Sequence, residues 1–272
     1  MEYEEILYDV DDGIATVKFN RPHAMNAGTG LTYRELEDAF RHAAEDKAVR
    51  VVVLTGEGRG FCSGDDVNQI FLAEPDNSAE ARSRRLLEQI EDLRTHRRNW
   101  LDTAIMECPK PTIAAVNGAA VGYGCDIALM CDMRIGSDKA RMGEFFVRRG
   151  LCPSLGGLMI LPHIIGVARA YELVLSGRLV EAEELGAIGM VNRVVPHESL
   201  MEETYSLARE IAAQGPLGQM MAKEGIRMGL SYDYDRIADY QIATVRLLSQ
   251  TADHREGAES FVERREPVFK GL

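Results

Sequence analysis

The sequence has no uninterrupted apolar run near the roughly 18 residues that a membrane span requires. Its opening, MEYEEILYD, is acidic where an export signal is basic and then apolar. Together these absences lead to the expectation of a cytoplasmic protein with no membrane partner. Basic charge is also short: 31 Lys and Arg face 43 Asp and Glu, a formal net charge of -12. Such a balance repels a phosphate backbone, and the short clusters at Arg82–Arg85, Arg97–Arg98 and Arg148–Arg149 do not offset it, so nucleic acid is excluded as a partner. The five cysteines are odd in number and include no C-x-x-C pair, which points to buried thiols in a reducing compartment. Six scattered histidines form no H-E-x-x-H, so no metal ligand set is indicated. A G-x-G-x-x-G fingerprint is missing, because Gly56-Glu57-Gly58-Arg59-Gly60 has the wrong spacing and an acid where a pyrophosphate must approach. The G-x-S-x-G elbow is missing too; Cys62 therefore reads as a small core residue before a nucleophile.

What the chain does contain is alternation of strands and helices. Ile14–Phe19 alternates like a strand closed by Arg21-Pro22, and Val51–Thr55 and Thr112–Val116 read as buried strands. Leu36, Ala39, Phe40 and Ala43 predict an amphipathic helix, with Thr32 and Glu35 at its start. Leu86, Leu87, Ile90 and Leu93 mark a surface helix within a polar stretch from Glu74 to Asn99, weakest at Pro75–Ser78. Helix is predicted at Trp100–Ile105 and Ile127–Met130, and a short strand at Met133–Ile135. From Leu200 the strand signal ends, and helices are predicted at 200–213, 217–228, 237–248 and about 258–264. The resulting expectation is an α/β core over 1–199 with a C-terminal helical subdomain over 200–272.

Two glycine-bearing turns carry the functional signal: FCSGDD at Phe61–Asp66 and NGAAVGYGCD at Asn117–Asp126. Each follows a buried strand and precedes a helix, so each can aim backbone N–H groups into one cleft. Two such donors converging on a carbonyl oxygen make an oxyanion hole. The bland alternative is that Gly122 and Gly124 only permit close helix packing.

With the residues around them, these turns resemble the enoyl-CoA hydratase/isomerase (crotonase) superfamily across nearly the whole chain. The resemblance is carried by NRPHAMNA at Asn20–Ala27, GEGRGFCSGDD at Gly56–Asp66, PKPTIAAVNGAAVGYGCDIALMCDMRI at Pro109–Ile135, GLCPSLGG at Gly150–Gly157, LSGRLVEAEELGAIGMVNRVVP at Leu175–Pro196 and REGAESFVERREPVFKG at Arg255–Gly271. It implies a spiral of repeated ββα units with a helical C-terminal region, assembled as a homotrimer or dimer of trimers. Coenzyme A is implied as part of the substrate, with no separate cofactor.

Residue by residue, the resemblance places the oxyanion amides on Asp65 and Tyr123. It lines the carrier's path with Ala24, Met25, Ala27, Ser63 and Asp65, and lets Lys270 meet its phosphates. The family's first catalytic glutamate falls on Asp126, one methylene shorter, and its second on Phe146, which has no proton to give. Asp126 then reads either as a general base raised by burial or as a cap on a helix N-terminus. Glu144, two residues before Phe146, either turns into the vacated space or pairs with Arg148 or Arg149 at the surface. Ser154 either orients water or caps the helix near Gly156. Phe145, Phe146 and Leu151 are expected to make a bulky acyl pocket whose mobile wall is Glu74–Trp100. The implied activity is addition of water to an unsaturated acyl-CoA through an enolate. Alternatives are an acyl-CoA double-bond isomerase, a thioester hydrolase or decarboxylase, and a non-catalytic CoA-binding scaffold.

Overall fold

The structure, a computed structural model, describes residues 2–72, 77–95 and 100–272. Strand β1 (Ile6–Asp11) pairs antiparallel with β2 (Ile14–Phe19) across Asp12-Gly13, both at positive φ. Asp-Gly is the dipeptide that such a mirror-image hairpin turn favours. Strands β3 (Val51–Gly56), β4 (Thr112–Val116), β6 (Met133–Ser137) and β9 (Arg193–Val195) follow β2 in parallel, giving a six-stranded sheet ordered β1-β2-β3-β4-β6-β9. Every residue of β3 and β4 is buried, because both faces of the sheet are covered. One face packs with Leu36, Phe40, Leu101, Ile105 and Ile127; the other packs with Leu200 and Ala208.

A second sheet joins β5 (Ala119–Val121) to β7 (Arg141–Gly143) in parallel and β7 to β8 (Val180–Glu181) antiparallel. Single bridges extend it, since Cys62 pairs with Ala120 and Gly28 with Asp65. The chain thus repeats a long strand, a short strand or bridge, and a helix, coiling as ββα units in the way the resemblance implies. These short pairings draw both glycine turns to one edge.

The predicted helix after β2 is α1 (Gly30–Glu45), but its cap is Thr29, whose hydroxyl accepts from Leu31 and Thr32 N–H. Thr32 completes the capping box, and Glu35 is buried, accepting the N–H groups of Glu4 and Glu5. Helices α2 (Val67–Ile70), α3 (Ala79–Thr95), α4 (Trp100–Met106) and α5 (Tyr123–Met130) come next. After α6 (Leu161–Ile165), α7 (Val167–Ser176) and α8 (Ala182–Ala187), α9 (Leu200–Ala212) closes the sheet's second face. The chain continues through α10 (Pro216–Gly229), α11 (Tyr234–Leu248) and α12 (Ala252–Glu263). Among the described residues no helix is long and apolar enough to cross a membrane.

Candidate active site

Two asparagines and one arginine build the floor. Asn26 accepts Arg21 N–H at 2.9 Å and donates to the carbonyls of Glu57 and Gly60 at 3.0 and 2.8 Å. Asn117 donates to Gly56, Gly58 and Gly60 at 3.0, 3.0 and 3.2 Å. Arg21 binds Ala27 O, Asp66 at 3.1 Å and Glu5 at 3.3 Å, so the loop carrying Ala24, Met25 and Ala27 is fastened beside the first glycine turn. Ser63 N–H donates to Met25 O at 3.1 Å, completing that junction. Sequence reading quoted these residues in motifs and gave Arg21, Asn26 and Asn117 no role; polar side chains inside apolar strand-loop motifs were the available signal.

The two turns touch. Gly64 has φ +89°, and a Cβ there would stand 2.7 Å from Val121 O and 3.5 Å from Tyr123 N. At Gly124 a Cβ would meet Cys62 O at 2.2 Å, so only glycine permits this approach. The Gly28 bridge uses Gly64 C=O and Asp66 N–H, which turns the Asp65 N–H to the opposite side. Tyr123 is the first residue of α5, where an N–H points out along the axis. One narrow cleft brings together Ser63, Asp65, Tyr123, Phe145, Phe146 and Leu151, with Phe71 and Arg149 added to its lining.

Beside the two turns lies a set of acids. Asp126 is fully buried, its two oxygens accepting Ser154 N–H at 2.7 Å and Gly157 N–H at 2.5 Å. Burial pushes its pKa up to about 7, with Asp102 and Asp65 adding to the rise and the two amides opposing it. Glu144 is also buried; no N–H or O–H group donates to either carboxyl oxygen among the described residues, and the buried Cys125 thiol is its one weak donor. Its Oε2 lies 3.0 Å from where a Gly157 Cβ would be, and Asp126 Oδ1 2.6 Å from a Gly156 Cβ, so the two carboxyls flank one glycine pair. Burial first, then the Asp126 charge, drives Glu144 well above the usual carboxylate range. Asp102, raised by burial, accepts Tyr123 OH at 2.6 Å and the Ser154 hydroxyl. Asp65, also raised by burial, accepts Tyr33 OH at 2.6 Å, and the Tyr33 ring stands edge-on to Tyr123 at 4.9 Å.

Several expectations are corrected. Glu144 makes no surface ion pair: Arg148 instead lies 4.2 Å over the Phe145 ring. The Ser154 hydroxyl caps no helix, because it is spent on Asp102, and the segment Gly156–Ile160 has no side-chain cap. Lys270 lines a second, basic pocket with Lys47, Arg50 and Lys110. The tail after α12 is held there through Lys270 N–H on Asp253 and the Arg50 guanidinium on Phe269 O, at the end where β3 begins and away from the turns that follow β3 and β5. The Cys62 thiol is buried and pushed up to about 12 by desolvation, which suits a core residue and not a nucleophile. Of the expected acyl-pocket wall, residues 73–76 and 96–99 lie outside the described residues, while Leu86, Leu87 and Ile90 on α3 are exposed.

Comparison with known proteins agrees with this geometry. The family model described as enoyl-CoA hydratase/isomerase matches residues 9–272. A crotonyl-CoA hydratase of Syntrophomonas wolfei is 34% identical over 270 residues, covering 99% of both chains. A 1,2-epoxyphenylacetyl-CoA isomerase of Escherichia coli is 34% identical over 268 residues, covering 98% of this chain and 99% of the other. The crystal structure of an enoyl-CoA hydratase from Bacillus anthracis superposes with a TM-score of 0.86 at 31% identity, covering 99% of this chain and 100% of that one. The chain belongs to the enoyl-CoA hydratase/isomerase (crotonase) family.

Proposed function

We propose that this protein adds water across the double bond of a 2-enoyl-CoA thioester through an enolate. The observation that carries the reading is the pair Asp126 and Glu144: two buried carboxyls side by side, one raised to about 7 and one driven well above the usual carboxylate range, the second with no N–H or O–H donor to either oxygen among the described residues. Groups whose environments drive their pKa values apart are suited to split the roles of base and acid. In this mechanism the thioester oxygen accepts the Asp65 and Tyr123 N–H groups, each contributing roughly 3 kcal/mol to the transition state. Asp126 takes a proton from water as its oxygen bonds to Cβ, and the electron pair moves to the enolate oxygen. Glu144 then gives its proton to Cα, and passage of a proton from Asp126 to Glu144 restores the pair. Coenzyme A is the substrate's handle, and its contacts supply binding energy that aligns the acyl group.

A second reading, double-bond isomerisation, is favoured by Phe146, which stands in the cleft where the family pattern has its second glutamate. One carboxylate then carries a proton between Cα and Cγ. Incubation of crotonyl-CoA in ¹⁸O-labelled deuterated water separates the two. Hydration places ¹⁸O at Cβ and deuterium at Cα; isomerisation gives deuterium without ¹⁸O. Neither label in any thioester product sinks both readings. The proposal includes assembly as a homotrimer or dimer of trimers, supported by Ile226, Tyr234, Val245, Phe261 and Val262, which α10–α12 leave exposed. Sedimentation giving a monomer refutes it.

A further inference from the structure

The short 3₁₀ turn Phe145–Arg149 puts its residues on eclipsed faces, because positions three apart stack in that geometry. Phe145 and Arg148 share one face, and the Arg148 guanidinium is used there, stacked over the Phe145 ring at 4.2 Å. Phe146 and Arg149 share the other, and both line the cleft that holds the Asp65 and Tyr123 amides. At the position where the family pattern implies an acid, the pocket therefore presents an apolar ring with a cation one turn beyond it. No other Lys or Arg lines this cleft among the described residues.

The cation's electrostatic surroundings sharpen the point. Arg149 is near enough to Asp65 to hold that carboxyl down against the stronger upward push of burial. Yet no ion pair forms between them among the described residues, and Asp65 is already engaged by the Tyr33 hydroxyl at 2.6 Å. Arg149 is exposed and lines the cleft together with Phe71, Phe146 and Leu151. An apolar acyl chain makes no use of its charge, whereas a carboxylate meets the fork with two parallel charge-assisted bonds.

We propose that Arg149 selects acyl-CoA thioesters whose acyl chain itself bears a carboxylate. This rests on the reading of the cleft as an acyl-CoA site, and it adds the class of acyl group. The phosphates of the carrier offer the same anionic chemistry, so the test compares the two sources. Calorimetric titration with succinyl-CoA, butyryl-CoA and free CoA uses acyl chains of matched length and requires no turnover. The wild type is expected to bind succinyl-CoA at least tenfold tighter than butyryl-CoA. In Arg149→Met that preference falls to within about twofold while affinity for free CoA stays unchanged, and Arg149→Lys keeps an intermediate preference. Equal binding of the two thioesters by the wild type overturns the assignment. So does an Arg149→Met variant that loses affinity for free CoA as much as for succinyl-CoA, which puts the guanidinium on the carrier. Binding of free CoA with no distinction between acyl groups leaves the hydratase reading standing; failure of all three to bind removes the acyl-CoA site and this inference with it.

Discussion

Replacing Glu144 by glutamine keeps the side chain's length and shape while removing the one proton it can give. The wild-type carboxyl is buried, lacks an N–H or O–H donor among the described residues, and is driven well above the usual carboxylate range, a direction that favours its neutral form, so the exchange adds no new charge. Stability should change by less than about 1 kcal/mol, a shift in Tm of no more than about 4 °C for a chain of this size. The chemical step is another matter. A positioned general acid contributes about 10² to 10⁴ in rate, so kcat should fall by at least about 10²-fold, near 3 kcal/mol in barrier. The pH profile distinguishes this from loose packing. With Asp126 as base, the rate rises with pH through about 7 as its proton leaves. With Glu144 as acid, the rate falls again at alkaline pH, and both limbs belong to the coupled pair. Glu144→Gln should lower the plateau and abolish the alkaline limb while keeping the rise near 7. The assay is steady-state kcat on a 2-enoyl-CoA from about pH 5 to 10. A folded variant with wild-type kcat and an unchanged alkaline limb refutes the acid role, and with it the assignment of the pair.

Asp126→Asn should alter stability in a pH-dependent way. A carboxyl raised to about 7 binds its proton more tightly folded than unfolded, so its stabilising contribution is complete below about pH 4 and lost as pH rises through 7, at up to about 1.4 kcal/mol per unit. Asparagine offers one acceptor to two amides, costing about 1–3 kcal/mol at low pH, so urea midpoints of the two proteins should converge as pH rises; parallel curves contradict the placement of this proton. Gly64→Ala forces a methyl to within 2.7 Å of Val121 O at φ +89° and should part the two turns. Its kcat is expected to drop by about 10²- to 10³-fold, the scale of one lost oxyanion donor; full activity in this variant means the turns do not form the hole.

The sequence carried the long strands and the glycine turns because each has a local cause. Val51–Gly56 is buried throughout and apolar over Val51–Leu54 since both sheet faces are covered, and Gly64 and Gly124 stand where a Cβ would collide with the other turn. The second sheet was invisible for the converse reason: β5 and β7 are three residues long and β8 two, too short for any period to register. Thr32 was read as the helix start because it precedes Glu35, while the better cap, Thr29, lies one turn earlier beside a glycine. Where the C-terminal tail lies depends on tertiary contacts such as Arg50 on Phe269 O, which no local pattern encodes.

The acids beside the two turns were hardest to read, and they bear most on mechanism. Tyr33 with Asp65 and Tyr123 with Asp102 are separated by 32 and 21 residues, so neither pair has a spacing that signals contact. Asp65, Asp102 and Asp126 are each satisfied by hydroxyls or amides, which makes their burial tolerable. Glu144 has only the weak Cys125 thiol beside it, and a core optimised for stability has no need of a carboxyl there. Its retention beside Asp126 leaves two buried acids flanking the one glycine pair Gly156-Gly157. A violation of packing logic at that location is what proton transfer requires and what a purely structural role for the site leaves without a cause. At the cleft wall the 3₁₀ turn places Arg149, the one Lys or Arg in the lining among the described residues, where an acyl carboxylate can meet it.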